Sequence, residues 1–196
     1  MFKDYMIIDN ALDDPDELVS LAKRIKFHSS KDMPCKNINL YEDHEYNERY
    51  VSGNWRGFRS NPLWLTHEQL NNNILKQLFS KMFVNDQITI KWDITTHLHY
   101  FPTGLPDGEF WWHPDGGCFW AGVLYLNKKP KKDSGTMIRM PDGTETIIDN
   151  VYNRFIVYNS KLLHRPQAGF GTNTNNSRLT LTVFFYRLDI QSIENN

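Results

Sequence analysis

Apolar positions change their spacing partway along the chain. Early on they recur every three to four residues: Leu18, Leu21, Ala22 and Ile25 share one face of a helix expected to open at Asp14-Pro15-Asp16-Glu17. Asp14 can cap it, and Pro15 suits the first helical position, where an N–H would have no partner anyway. Leu70, Ile74, Leu78 and Met82 form a second stripe, on a helix expected to start at Thr66 with Gln69 three positions on. Between the two, residues 29 to 62 carry Tyr41, Tyr46, Tyr50 and Trp55-Arg56-Gly57-Phe58-Arg59 with no sustained period. A connection of that length is either functional or plain covering structure.

From about residue 87 the period falls to two. Segments rich in β-branched and aromatic residues run over 87–96, 97–101, 118–126, 136–140, 145–149, 153–159 and 178–187, separated by Gly, Pro, Asn and Asp. These read as strands. So many strands without helices between them favour an antiparallel sandwich, jelly roll or barrel, mainly β with packing helices. The expected organisation is one domain over 1–196, with a helical and irregular part at about 1–86 and a sheet core at about 87–190. A chain of 196 residues is long enough for one such core.

Composition narrows the classes. A hydrophobic fraction of 40% with 23% charged residues describes a folded chain, and a net charge of −1 supplies no global field to draw it onto nucleic acid or an anionic membrane. No apolar run reaches the roughly 18 residues of a membrane span, and the N-terminus lacks a signal-peptide stretch. The expectation is a cytoplasmic protein with no membrane partner. Cys35 and Cys118 are far apart, which suits reduced thiols better than a bridge or a metal pair.

Candidate chemistry begins at Trp111-Trp112-His113-Pro114-Asp115-Gly116-Gly117. With one residue between them, His113 and Asp115 can point the same way from an extended backbone. Alone, His-x-Asp also arises by chance in surface loops. A third donor is His164, in Tyr158-Asn159-Ser160-Lys161-Leu162-Leu163-His164, read as lying just past the end of the strand 154–158. Two imidazoles and one carboxylate are the donor set of a non-haem Fe(II) facial triad, which leaves coordination positions open. Arg178 follows fourteen positions later, at the head of Arg178-Leu179-Thr180-Leu181-Thr182-Val183-Phe184-Phe185-Tyr186. Alternation sets Arg178, Thr180 and Thr182 on one face and Leu179, Leu181, Val183 and Phe185 on the other. A buried polar stripe needs a partner, and a guanidinium fork suits a carboxylate.

The order His-x-Asp, distal His, then Arg on the last long strand resembles the 2-oxoglutarate/Fe(II) oxygenase superfamily. Tyr100-Phe101-Pro102-Thr103-Gly104 followed by His113-Pro114-Asp115 is similar to the Tyr-x-x-Gly…His-x-Asp run of its prolyl-4-hydroxylase-like branch, with a longer Gly-to-His spacing. Val123-Leu124-Tyr125-Leu126-Asn127 is similar to that branch's Leu-Tyr-Leu-Asn strand. Asp133-Ser134-Gly135-Thr136 stands where a Gly-Gly-Glu-Thr-like turn is usual, without the second Gly and the Glu. The likeness covers roughly residues 97 to 187, with a weaker echo in Met6-Ile7-Ile8-Asp9-Asn10.

The resemblance implies a double-stranded β-helix, a distorted, cupin-like jelly roll. It also implies Fe(II) on His113, Asp115 and His164, with 2-oxoglutarate and O2 as further requirements and ascorbate as an auxiliary. The cosubstrate's far carboxylate would fall to Arg178 and Thr180, and Tyr100 would donate a hydrogen bond to the cosubstrate. The implied reaction is hydroxylation of a protein side chain such as proline, or of a small metabolite. Halogenating relatives lack the carboxylate that Asp115 supplies here. Two other readings compete: a cupin-like binding module without turnover, and a nucleic-acid dealkylase, whose second Arg at short spacing is missing because the next one is Arg187. His97 and His99 share a face and are expected to be solvated. Trp111, Trp112 and Trp120 suit core packing or shielding of the metal segment. Selectivity is assigned to the loops 29–62 and 102–110, where Arg56 and Arg59, together with Arg165 elsewhere, could attract an anionic group or simply face solvent.

Overall fold

The computed structural model describes residues 4–32, 55–83, 88–104 and 112–192, with backbone alone for 88–91 and 188–192. Cys35, Tyr41, Tyr46, Tyr50, Trp111 and most of the loops 29–62 and 102–110 lie outside the described residues.

Ten strands and three helices are described: β1 (Tyr5–Ile8), α1 (Asp16–Ala22), β2 (Phe27–His28), β3 (Phe58–Ser60), α2 (Leu63–Thr66), α3 (Glu68–Met82), β4 (Ile88–Phe101), β5 (Trp120–Tyr125), β6 (Thr136–Arg139), β7 (Glu145–Ile148), β8 (Phe155–Asn159), β9 (Leu163–Pro166) and β10 (Arg178–Ser192). Seven strands form one sheet in the order β1-β8-β5-β10-β4-β3-β2, and three form a second in the order β7-β6-β9. Every pairing is antiparallel. This is the mainly-β, double-stranded β-helix architecture expected of the sequence.

Period-two alternation gives the large sheet two different faces. Leu98, Leu124, Phe155, Val157, Leu179, Leu181, Val183 and Phe185 point to one side and pack with Leu18, Leu21, Ile74, Leu75, Leu78 and Phe79 from α1 and α3. Ala121, Val123, Tyr125, Ile156 and Tyr158 point to the other side and meet Ile138, Ile148 and Leu162 of the small-sheet half. Helices therefore seal one face, and the small sheet covers part of the other. One polar group interrupts the α3 stripe: Asn71 is buried and accepts a hydrogen bond from Thr96 Oγ1 at 2.5 Å, tying the helix to β4.

The helix starts follow from local chemistry. Asp14 Oδ1 accepts the Asp16 N–H at 3.1 Å, so α1 opens where the sequence indicates. Thr66 does not cap the long helix. Its hydroxyl donates to Pro62 O at 3.2 Å, closing the short turn of α2, and α3 begins two residues later at Glu68. The segments 87–96 and 97–101 are one strand, because β10 pairs with β4 continuously from Arg178↔Phe101 to Ser192↔Ile88, with one bulge at Tyr186. Such bulges re-aim a strand. No described helix is long and apolar enough to cross a membrane.

Candidate metal centre

The three proposed metal donors converge. Ligand atoms of His113, Asp115 and His164 all lie within 4.8 Å of one another. Asp115 Oδ2 is 3.2 Å from His164 Nε2, and Asp115 Oδ1 is 4.0 Å from His113 Nε2. Two donors each about 2.1 Å from a first-row divalent ion would stand roughly 3 Å apart when adjacent in its coordination shell.

Backbone pairing builds this arrangement. His113 and His164 form an antiparallel bridge, in which His113 N–H donates to His164 O at 3.2 Å and His164 N–H to His113 O at 3.0 Å. His164 thus does not lie in a loop past a strand end. It sits within β9, opposite Ile138 of β6. Two residues beyond His113, the Asp115 N–H donates to Ser160 O at 2.9 Å. Gly117, at φ 84°, then turns the chain into β5 through a conformation that a side chain would strain.

Hydrogen bonding prepares the ligand atoms. His164 Nδ1 lies 3.0 Å from Leu162 O, so this nitrogen carries a proton and Nε2 is the atom turned toward Asp115. Burial alone would raise the Asp115 carboxyl, but the hydrogen bond and charge of His164, with His113 and Arg59, overrule it and hold the carboxyl below its ordinary value. Asp115 is therefore a carboxylate at neutral pH. Cys118 beside it is no competitor: burial, then the Asp115 charge, pushes its thiol up to about 12.

Arg178 is 4% exposed, on a strand flanked by β5 and β4. Asn127 positions it, accepting the Leu179 N–H at 2.8 Å through Oδ1 and donating through Nδ2 to Ser177 O at 2.8 Å. The guanidinium donates from Nε to Ser134 O at 2.7 Å, and from Nη2 to Gly135 O and Thr136 Oγ1 at 3.3 Å each. A Cβ at Gly135 would come within 2.1 Å of Ile148 O, so only glycine fits in this turn. These contacts are to neutral acceptors, and no carboxylate among the described residues pairs with Arg178. Burial lowers its pKa from an arginine's normal value, yet the group remains a cation.

Sequence reasoning missed two residues between Arg178 and the triad. Tyr125 places its ring 5.5 Å from the Arg178 guanidinium and its hydroxyl 2.7 Å from Thr136 Oγ1. Tyr158 is 2% exposed, its ring 4.6 Å from that of His164, and it feels the charges of both Asp115 and Arg178. Tyr125 stood in the strand motif already quoted, on the Arg178 side by alternation. That signal was available.

Tyr100 does not join them. It pairs with Leu179 and Phe58, faces the helix side, stacks on Phe58 at 4.8 Å and meets Phe27 edge-on at 5.1 Å. A one-residue step along a strand exchanges faces, and Phe101, opposite Arg178, occupies the inner side instead. Thr180 is on the Arg178 face, with its hydroxyl donating to His99 O at 3.3 Å.

His97 and His99 are buried rather than solvated. Their rings lie 2.9 Å from Ser60 O and 2.7 Å from Arg56 O, respectively. Burial and then the nearby Arg59 charge push His97 down to about 3 and His99 well below its ordinary value, so both are neutral. Trp120 packs in the helix-side core, and Trp112 is stacked by Arg139 at 4.3 Å and Arg165 at 5.3 Å.

No protein-family model and no curated protein matches the chain. Solved structures do. A prolyl hydroxylase from Trichoplax adhaerens, in complex with a hypoxia inducible factor oxygen degradation domain peptide fragment, aligns with TM-score 0.59 at 14% identity, over 92% of this chain and 82% of that one. An oxidoreductase of the 2OG-Fe(II) oxygenase family from Burkholderia pseudomallei aligns with TM-score 0.55 at 13% identity, over 98% and 85%. The non-haem alpha-ketoglutarate dependent epimerase of nogalamycin biosynthesis gives TM-score 0.55 at 10% identity, over 92% and 76%. The chain therefore shares the fold of the 2-oxoglutarate/Fe(II) oxygenases, prolyl hydroxylases among them.

Proposed function

We propose that the chain is a single-domain non-haem Fe(II) oxygenase that couples oxidative decarboxylation of 2-oxoglutarate to hydroxylation of a second substrate. The observation that carries this reading is the meeting of two imidazoles and an ionised carboxylate on one side of a sheet whose same face holds Arg178, a buried cation without a carboxylate partner among the described residues. A dicarboxylate spanning the two would satisfy both. The oxygenase fold of the neighbours agrees with it.

His113, Asp115 and His164 would hold the metal, with the Leu162 carbonyl fixing the His164 tautomer. When bound, iron with 2-oxoglutarate and O2 supplies the oxidation that yields succinate, carbon dioxide and one oxygen atom for a C–H bond. Arg178, held by its bonds to Ser134, Gly135 and Thr136, would orient the cosubstrate through its far carboxylate. Tyr125, held against Arg178, borders that carboxylate. Tyr158, whose ring lies 4.6 Å from that of His164, would shield the metal side from water. One neighbour of this fold is in complex with a peptide fragment, and another belongs to nogalamycin biosynthesis.

Calorimetry under anaerobic conditions tests the reading. Fe(II) should bind the wild-type chain, and 2-oxoglutarate should bind only once metal is present. Asp115→Ala should weaken metal binding by about 100-fold or more, beyond the effect of losing an outer partner, and abolish succinate release. Full metal affinity in that variant would end the assignment.

A further inference from the structure

The inner face holds a second guanidinium that the chemistry above does not use. Arg59 stands on β3 opposite His99. Its Cζ lies 4.9 Å from the Trp55 ring centroid and 5.1 Å from that of Phe184. Nε is sealed from solvent without a hydrogen-bond partner, while part of the residue stays accessible. None of the ion pairs among the described residues involves it. A buried cation left this way is costly, and structural arginines are ordinarily paired.

Among the described residues, the counter-charge that acts on Arg59 is the Asp115 carboxylate. His97 and His99 are neutral and turn their N–H groups to the Ser60 and Arg56 carbonyls. Asp115 lies within electrostatic reach, but its two oxygens are directed to His164 and His113. In the complex proposed above, the two charges of the metal meet Asp115 and one 2-oxoglutarate carboxylate, and Arg178 meets the other carboxylate. Among the described residues, Arg59 then remains as a positive charge without an ion-pair partner on the same face.

The cation stands over the rings of Trp55 and Phe184. A guanidinium edge is the direction from which a planar oxyanion accepts two parallel hydrogen bonds, and Arg59 Nε is without a partner there. One guanidinium balances one negative charge. A phosphate ester carries close to two charges at neutral pH, more than one guanidinium balances.

We propose that Arg59 receives a carboxylate of the primary substrate, so that this protein oxidises carboxylic acids and Arg59 sets which C–H bond faces the metal. The proposal rests on the reading of His113, Asp115, His164 and Arg178 given above. Anaerobic calorimetry on the full chain first measures Fe(II) and 2-oxoglutarate binding. It then measures benzoate for a small acid, a blocked Gly-Asp-Gly peptide for an acidic peptide, the amide of each, and methyl phosphate. One acid should bind while its amide does not, and which acid binds identifies the source of the carboxylate. Arg59→Met should weaken that binding by about tenfold or more, leaving metal and 2-oxoglutarate affinities intact. It should also raise the thermal midpoint by about 2–4 °C, because an unpaired buried charge is removed. Arg59→Gln serves as a second neutral variant if the first does not fold.

Equal binding of acid and amide, no acid binding, preference for methyl phosphate, or a lowered midpoint in both variants would each overturn the proposal. So would loss of 2-oxoglutarate binding in Arg59→Met with its retention in Arg178→Met, which would make Arg59 the cosubstrate's partner. If the wild type binds neither metal nor 2-oxoglutarate, the oxygenase reading fails instead. The acid-against-amide comparison between wild type and Arg59→Met on the metal-free chain then still decides the role of Arg59.

Discussion

The two faces of the seven-stranded sheet are made by the same strands and differ in nearly everything else. On β10, Leu179, Leu181, Val183 and Phe185 enter a dry layer under α1 and α3, and each is at most 3% exposed. Arg178, Thr180 and Thr182, one residue out of phase, enter a face that also gathers His97, His99 and Arg59. Burial is similar on both sides, but its consequences are opposite. Apolar groups gain from leaving water, whereas buried polar groups cost stability unless partnered. The helix side holds the fold together, and the inner side spends some of that stability on groups poised for a ligand.

The contrast can be broken by exchanging the consequences of mutation. Phe185 is fully enclosed and touches the rings of Phe79, Phe119 and Trp120 at centroid distances of 6.4, 6.5 and 6.1 Å. Phe185→Ala should cost about 3–5 kcal/mol in urea unfolding, while the residual folded protein keeps its metal affinity. A selective loss of metal binding there would erase the division between faces.

Arg178→Lys should do the reverse. Replacing a planar fork by a point charge should weaken 2-oxoglutarate binding by roughly tenfold or more without altering Fe(II) affinity, as read by calorimetry. Unchanged 2-oxoglutarate affinity would leave Arg178 a purely structural residue, bonded to the Ser134 and Gly135 carbonyls.

The smallest effect sharpens the picture through pH. His97 titrates near 6.5 when unfolded and at about 3 when folded. Below pH 6.5 the unfolded chain takes up a proton that the folded chain refuses, so stability falls as pH drops toward 3, and it is unaffected above 6.5. The slope is at most about 1.4 kcal/mol per pH unit for one such group. His97→Asn should flatten this part of the profile in urea titrations, and an unchanged slope would mean that His97 is not held neutral by the inner face.

Much of this was readable from residues alone because alternation is local. The β10 pattern separates its faces without knowledge of any other strand, and His113 and Asp115 declare their common direction through a spacing of one residue. What sequence could not provide came from pairing at a distance. Leu163-His164-Arg165-Pro166 is too short and too polar to signal a strand, and it becomes β9 because β6 lies beside it. Tyr100 faces the helix side because the phase of its strand is set by β10 and β3. His97 and His99 read as solvated because nothing near them in sequence reveals that β3 covers that edge. The same edge brings Arg59 inward.

The bridge between residues 113 and 164 has an evolutionary corollary. Its two hydrogen bonds join main-chain groups, which every amino acid but proline supplies in full, so the hollow is framed independently of what projects into it. Descendants of such a scaffold can trade one donor atom for another, or lose reactivity altogether, and still inherit an intact container.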